Sequence, residues 1–129
     1  LIEHSFSCDF SQDIYDRLLN LNYDYGVKPI LAHIERYSAF MEDFDLLDEY
    51  IDMGCLAQVN ISSFVDSPRH LKKKLFKLLQ TGRIHLIGSD CHNLSSRKPD
   101  FETGVGEIVK KCSRSVIEEL ENNANILVK

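Results

Sequence analysis

Two rhythms of apolar and polar residues alternate along this chain. Four short apolar runs read as strands: Leu1 to Ser5, Lys28 to His33, Cys55 to Ile61 and Ile84 to Ser89. Each is followed by apolar residues at helical spacing. After the first run, Ser11 is an N-cap and Ile14, Leu18, Leu19 and Leu21 form one face that stops near Gly26. After the second, Phe44, Leu47, Tyr50, Ile51 and Met53 form another, ended by Gly54 at a position that needs positive φ. Leu71, Leu75, Phe76, Leu78 and Leu79 repeat the pattern up to Gly82. The fourth run leads into a loop, Asn93 to Asp100, and then helical stretches around Val105 to Lys111 and Ser115 to Asn122.

The runs begin at 1, 28, 55 and 84, so this is a βα repeat in architecture without being one in sequence. Strands joined by crossover helices run parallel, and right-handed crossovers wind them in one direction. The fold class is therefore α/β. Two arrangements fit: an open doubly wound sheet, or an arc of a β/α barrel. A complete barrel takes about 250 residues, and this chain has 129.

Composition narrows the class further. With 43% hydrophobic residues and no low-complexity stretch, the chain has the material for a core without disulfides or a structural metal. Chains near 150 residues bury roughly 68–70% of their unfolded surface. No apolar run approaches the roughly 20 residues of a membrane span, and no charged n-region precedes an apolar h-region at the start of the sequence. Membrane insertion is excluded on this reading. The four cysteines, Cys8, Cys55, Cys91 and Cys112, follow no disulfide framework and read as reduced thiols of a cytoplasmic protein. Net charge is −5, from 15 basic and 20 acidic residues. The one dense basic cluster, Arg69 to Lys77, is interleaved with apolar residues and reads as a solvated helix face, with no nucleic-acid partner. The chain opens on Leu1 inside an apolar pattern, so the expectation is that an N-terminal stretch lies outside it.

Both arrangements bind ligands at the carboxyl ends of the strands, and those ends are chemically biased. The first carries Glu3 and Ser5 on one face and His4 on the other. The second runs Ala32-His33-Ile34-Glu35-Arg36, the third Asn60-Ile61-Ser62-Ser63, and the fourth Ser89-Asp90-Cys91-His92-Asn93 with Arg97 shortly after. Asp90 and His92 are two apart and point the same way on a strand. With His33 and Glu3 they make a mixed nitrogen and oxygen set that suits Mn, Fe or Zn, without the thiolates of a structural zinc site. Such a metal polarises an anionic substrate and activates water near neutral pH. Arg36 and Arg97 are the groups to grip a phosphate in bidentate fashion. The combination points to metal-assisted phosphoester hydrolysis. His85 and His70 read as structural or surface residues.

The segment Lys28-Pro29-Ile30-Leu31-Ala32-His33-Ile34-Glu35-Arg36-Tyr37 resembles the PHP-domain tyrosine phosphatases that accompany bacterial capsule and exopolysaccharide synthesis. The resemblance continues through Ile51-Asp52-Met53-Gly54-Cys55, Gln58-Val59-Asn60 and Ser89-Asp90-Cys91-His92-Asn93 to Arg97 and Pro99, and Leu1-Ile2-Glu3 looks like the family's strand with a metal-ligand glutamate. It implies that parallel βα units form roughly half of a distorted (β/α)7 PHP barrel. It also implies a trinuclear site of manganese type and hydrolysis of phosphotyrosine on a protein such as the tail of a bacterial tyrosine kinase. By position, Glu3, His33, Asp90 and His92 correspond to metal ligands and Arg36 and Arg97 to phosphate-binding residues, with Glu35 in a supporting or salt-bridge role. The family's opening H-x-H motif has no counterpart in residues 1–129, which are expected to be the C-terminal part of a single PHP-like domain.

Two other readings remain open. Cys91 and Arg97 are separated by five residues, the spacing of cysteine-dependent tyrosine phosphatases, although the loop between them lacks the glycine that helps turn amides inward. Alternatively, the chain is a non-catalytic truncated module that associates, as a homo-oligomer, through an exposed sheet edge.

Overall fold

A computed structural model describes residues 1–91 and 101–128. Two compact units are present, Leu1–Gln58 and Val59–Lys129. The first unit begins with an extended segment and continues through helix α1 (Gln12–Tyr25), strand β1 (Ile30–Leu31), a 3-10 turn (Ile34–Arg36) and helices α2 (Ser38–Glu42) and α3 (Phe44–Asp52). Strand β2 (Leu56–Asn60) crosses the boundary. The second unit continues with α4 (Ser63–Asp66), α5 (Arg69–Gln80), β3 (Leu86–Gly88), α6 (Phe101–Lys111) and α7 (Arg114–Val128). Strand order is β1-β2-β3, and β1 pairs with β2 in parallel, Ile30 opposite Leu56 and Leu31 opposite Ala57. The α/β class with parallel strands is the one expected from the sequence.

The strands are shorter than the apolar runs, for identifiable reasons. The run from Leu1 to Ser5 forms a single parallel bridge, Ile2 to Leu31, in which the Ile2 N–H donates to the Ile30 carbonyl at 2.7 Å and Ile2 accepts from Ala32 at 2.9 Å. A turn closed by Cys8 donating to Ser5 at 2.9 Å then diverts the chain. β1 stops at Leu31 because His33 takes a left-handed backbone, φ 36° and ψ 57°, which cannot continue an extended strand. β3 gives way in the same manner, with Asp90 at φ 48°.

The helices follow the apolar spacing closely. α1 starts after Ser11, whose side chain makes no cap bond, and ends at Gly26. α3 is capped by Asp43, which accepts from the amides of Asp45 and Leu46 at 3.0 and 3.2 Å. Gly54 follows it at φ 114°, a conformation strained for any side chain. The short helices α2 and α4 and the 3-10 turn lack the length to show a period in the sequence.

The first unit has an aromatic core. Phe10, Tyr37, Phe40 and Tyr50 are buried, with the Phe10 centroid 4.1 Å from Phe40, 5.0 Å from Tyr37 and 5.4 Å from Tyr50. The Tyr50 hydroxyl donates to the Phe10 carbonyl at 3.1 Å. The second unit buries Ile61, Phe64, Leu75, Phe76, Leu78, Ile108 and Leu120. There α4 packs on α5 and α6, and α7 packs on α6 and β3. Gly104 of α6 sits against Ile61 so closely that an added Cβ would lie 2.3 Å from its Cγ1 and 3.0 Å from its carbonyl oxygen, so the close approach requires glycine.

Candidate metal and phosphate site

In the first unit, the end of β1 gathers the candidate residues. His33 is 4% exposed, and its backbone is held by a donated hydrogen bond from its N–H to Gln58 Oε1 at 2.7 Å. The acceptor is a polar side chain of β2, also buried. The 3-10 turn is closed by Arg36 donating to the His33 carbonyl at 3.0 Å and Tyr37 to the Ile34 carbonyl at 3.1 Å. Positive φ in a non-glycine residue costs of order 1–3 kcal/mol and persists where the surroundings over-determine it. Of three such residues described, Phe10, His33 and Asp90, two are candidate metal ligands.

His33 Nε2 lies 3.0 Å from Glu3 Oε1. Glu3 is exposed, its side chain 65% accessible, so the pair has one dry and one wet partner. The expected alternation along the first segment holds: Glu3 reaches His33 while the ring of His4 packs edge-on against Phe10 at 5.4 Å. The His4 N–H donates to the Tyr37 hydroxyl at 2.9 Å, fixing this segment over the turn. Burial pushes the Tyr37 hydroxyl pKa up, opposed in part by that hydrogen bond.

Phe6 completes the cluster. Its ring stands 5.6 Å from that of His33, edge-on, and the Arg36 guanidinium carbon lies 5.4 Å from its centroid. Half of Phe6 is exposed, 49%. Glu35, between His33 and Arg36, is buried. The structure thus brings Glu3, His33 and Arg36 together around an aromatic ring.

Whether these residues fit a metal is answered by the donors themselves. A carboxylate oxygen and an imidazole nitrogen converge at 3.0 Å. The second ring nitrogen, His33 Nδ1, is buried with no hydrogen-bond partner among the described residues, as is His4 Nε2. A buried polar atom without a partner signals one that protein atoms do not supply, such as an ion or water. The imidazole and carboxylate pair fits Mn, Fe or Zn. Among the described residues no group of three or more His, Cys, Asp or Glu converges, so the first unit brings together two candidate donors.

In the second unit, Asp90 is half-buried at the end of β3 and Cys91 follows, exposed; the Cys91 N–H donates to Ser89 Oγ at 3.2 Å. His92 and Arg97 lie outside the described residues. All four cysteines are free. Burial raises the Cys55 thiol to about 11 and also raises Cys112. Sequence reasoning did not single out Phe6 or Gln58 as site residues. Gln58 carried a signal, being a polar residue in the middle of a buried strand; Phe6 carried none beyond its place three residues after Glu3.

Comparison with known proteins adds an independent line. The family described as "Capsular polysaccharide synthesis, CpsB/CapC" matches residues 1–129. The chain is 35% identical over 127 residues to the tyrosine-protein phosphatase CpsB of Streptococcus pneumoniae, covering 93% of this chain and 51% of that protein. It is 36% identical over 135 residues to CpsB of Streptococcus agalactiae, covering 98% and 55%. It is 26% identical over 105 residues to the tyrosine-protein phosphatase YwqE of Bacillus subtilis, covering 81% and 41%. Among solved structures, it superposes with TM-score 0.89 and 25% identity on a chain from the crystal structures of YwqE and S. pneumoniae CpsB, described as unique metal-dependent tyrosine phosphatases, covering 98% of this chain and 51% of that one. The chain spans about half the length of the curated relatives it matches.

Proposed function

The chain belongs to the CpsB/CapC family of capsular polysaccharide synthesis proteins, and from that membership we propose that it carries part of the site of a metal-dependent phosphatase that hydrolyses phosphotyrosine on a cytoplasmic protein. The tail of a bacterial tyrosine kinase is the substrate that the resemblance implies. The single observation that carries the reading is the end of β1. There a buried histidine in a strained backbone meets a carboxylate at 3.0 Å, with an arginine and an exposed aromatic ring beside it.

Glu3, His33, Asp90 and His92 are the residues that would hold metal, with manganese proposed and iron or zinc as alternatives. A bound divalent ion supplies Lewis acidity to a phosphoryl oxygen and lowers the pKa of water. The remaining chemistry belongs to this chain. Arg36 offers a planar fork of N–H donors to phosphate oxygens, and its place over Phe6 restrains the guanidinium. Phe6 presents a half-exposed apolar face beside that arginine, suited to the ring of an aryl phosphate. Arg97 is the second phosphate contact in this reading. Gln58 and the 3-10 turn hold the His33 backbone so that its ring is aimed before any ligand arrives. The chain is read as the C-terminal part of a PHP-type domain. The family's further ligands, the H-x-H motif among them, belong to the length of its relatives that it does not span.

The experiment is hydrolysis of phosphotyrosine peptides and of p-nitrophenyl phosphate with added Mn2+, using a polypeptide of the relatives' full length. Chelation, His33→Ala, Asp90→Ala or His92→Ala each abolish turnover, and Arg36→Lys lowers kcat by about 10²-fold, the scale of losing one positioned charge donor. Cys91→Ser stays active, which separates metal from thiol chemistry. Normal turnover in both Asp90→Ala and His92→Ala rules the metal assignment out.

A further inference from the structure

The second unit carries a feature that phosphate hydrolysis does not use. A concave groove of about 1280 Å³ runs along α5 and reaches the end of α6. Its walls carry Arg69, Lys72, Lys73 and Lys77 from α5 and Lys111 from α6, and among the described residues that line it none is acidic. Phe76 lies in its floor, and the Lys111 ammonium sits 5.0 Å from the Phe76 centroid. Lys72 is tethered to the Val65 carbonyl at 3.4 Å. Leu75, Leu78 and Leu79 of the same helix are buried, so the cations project from a packed element.

The charge of this groove runs against that of the chain, which is −5 overall. An extended polyanion, such as duplex nucleic acid or an anionic membrane, feels the whole chain and is repelled by the acidic remainder. A short anionic segment held within about a Debye length, roughly 8 Å at physiological ionic strength, feels the local cations alone. Concavity favours the same ligand, because a bilayer surface is flat.

We propose that this groove seats a short acidic peptide segment of the phosphotyrosine-bearing partner protein, so that the partner is held by charge apart from the residues that handle its phosphate. The identity of the partner rests on the function proposed above; the groove's preference for an acidic peptide does not. Carboxylates and phosphotyrosine, the latter with about −1.5 to −2 charges at neutral pH, both satisfy it.

The test is fluorescence anisotropy of a labelled ten-residue Glu-rich peptide, without phosphate, titrated with this 129-residue chain and with the triple variant Arg69→Gln, Lys73→Gln, Lys77→Gln. All three side chains are exposed, so the variant keeps the fold. The expected result is binding that weakens with salt and falls about ten-fold in the variant, about two-fold per exposed charge pair lost. Equal affinity of the two proteins overturns the proposal. So does tighter binding to phosphatidylserine vesicles or single-stranded RNA than to the peptide. Hydrolysis of p-nitrophenyl phosphate by the full-length protein reads the catalytic proposal separately. Its absence alongside variant-sensitive peptide binding supports the groove and removes only the phosphotyrosine protein as the partner.

Discussion

The two units are built around different cores, and the difference tracks what each presents outside. Rings dominate the first: Phe10 touches Tyr37, Phe40 and Tyr50, and Tyr15 meets Tyr50 at 5.4 Å. In the second, aliphatic side chains prevail and Phe64 with Phe76, at 5.2 Å, is the one ring pair among the described residues. A tyrosine brings apolar area together with a polar tip. Here the tips are used. Tyr37 takes the His4 N–H and Tyr50 binds the Phe10 carbonyl, so the core itself pins the irregular segment that delivers Glu3. Aliphatic packing has no such handle. It suits the second unit, where the core has only to hold helices, among them α5 with its exposed cations.

The largest expected effect concerns the rings as apolar mass. Phe40→Ala costs about 3–5 kcal/mol of stability in urea unfolding, the scale for a buried aromatic; a loss below about 1 kcal/mol contradicts an aromatic core. A smaller effect isolates the polar tips. Tyr37→Phe keeps the ring and removes the acceptor of the His4 N–H, at about 1–2 kcal/mol for a donor left partly buried. An unchanged stability reduces the tyrosines to filler and breaks the contrast between the units.

A comparable effect is a pH dependence. Cys55 is buried and its thiol titrates at about 11 instead of 9.0. Between those values the folded chain keeps a proton that the unfolded chain has released. The contribution to stability is therefore complete below pH 9 and is lost as pH rises through 11. Cys55→Ala removes this part of the alkaline decline, which denaturant midpoints at pH 8 and pH 10.5 would detect. An identical decline in the variant assigns it to other groups.

What was legible in the sequence follows from range. The helices α1, α3 and α5 announce themselves because at least two full turns repeat an apolar face, and Gly26, Gly54 and Gly82 mark their ends with positive φ. The strand ends were harder. An apolar run shows that a segment is buried but not where its backbone leaves the extended region, and the left-handed residues at 33 and 90 have no periodic signature. The site divides the same way. Residue type and order identified Glu3, His33 and Arg36, and the structure brings these three together. Asp90 stands in the other unit, and His92 and Arg97 lie outside the described residues. Phe6 and Gln58 act through contacts with residues 27 and 25 positions away, His33 in both cases, and contacts at that range leave no local pattern to read.

The buried imidazole at the end of β1 is proposed as a metal ligand and not merely as a hydrogen-bonded core histidine. Electron paramagnetic resonance of Mn2+ titrated into the full-length protein tests it without relying on turnover. His33→Ala is expected to weaken Mn2+ binding well beyond the 10- to 100-fold typical of losing a residue that only supports a ligand, while Gln58→Ala, which loosens only the His33 backbone, falls within that range. Unchanged Mn2+ affinity in His33→Ala, with the variant still folded, would contradict it.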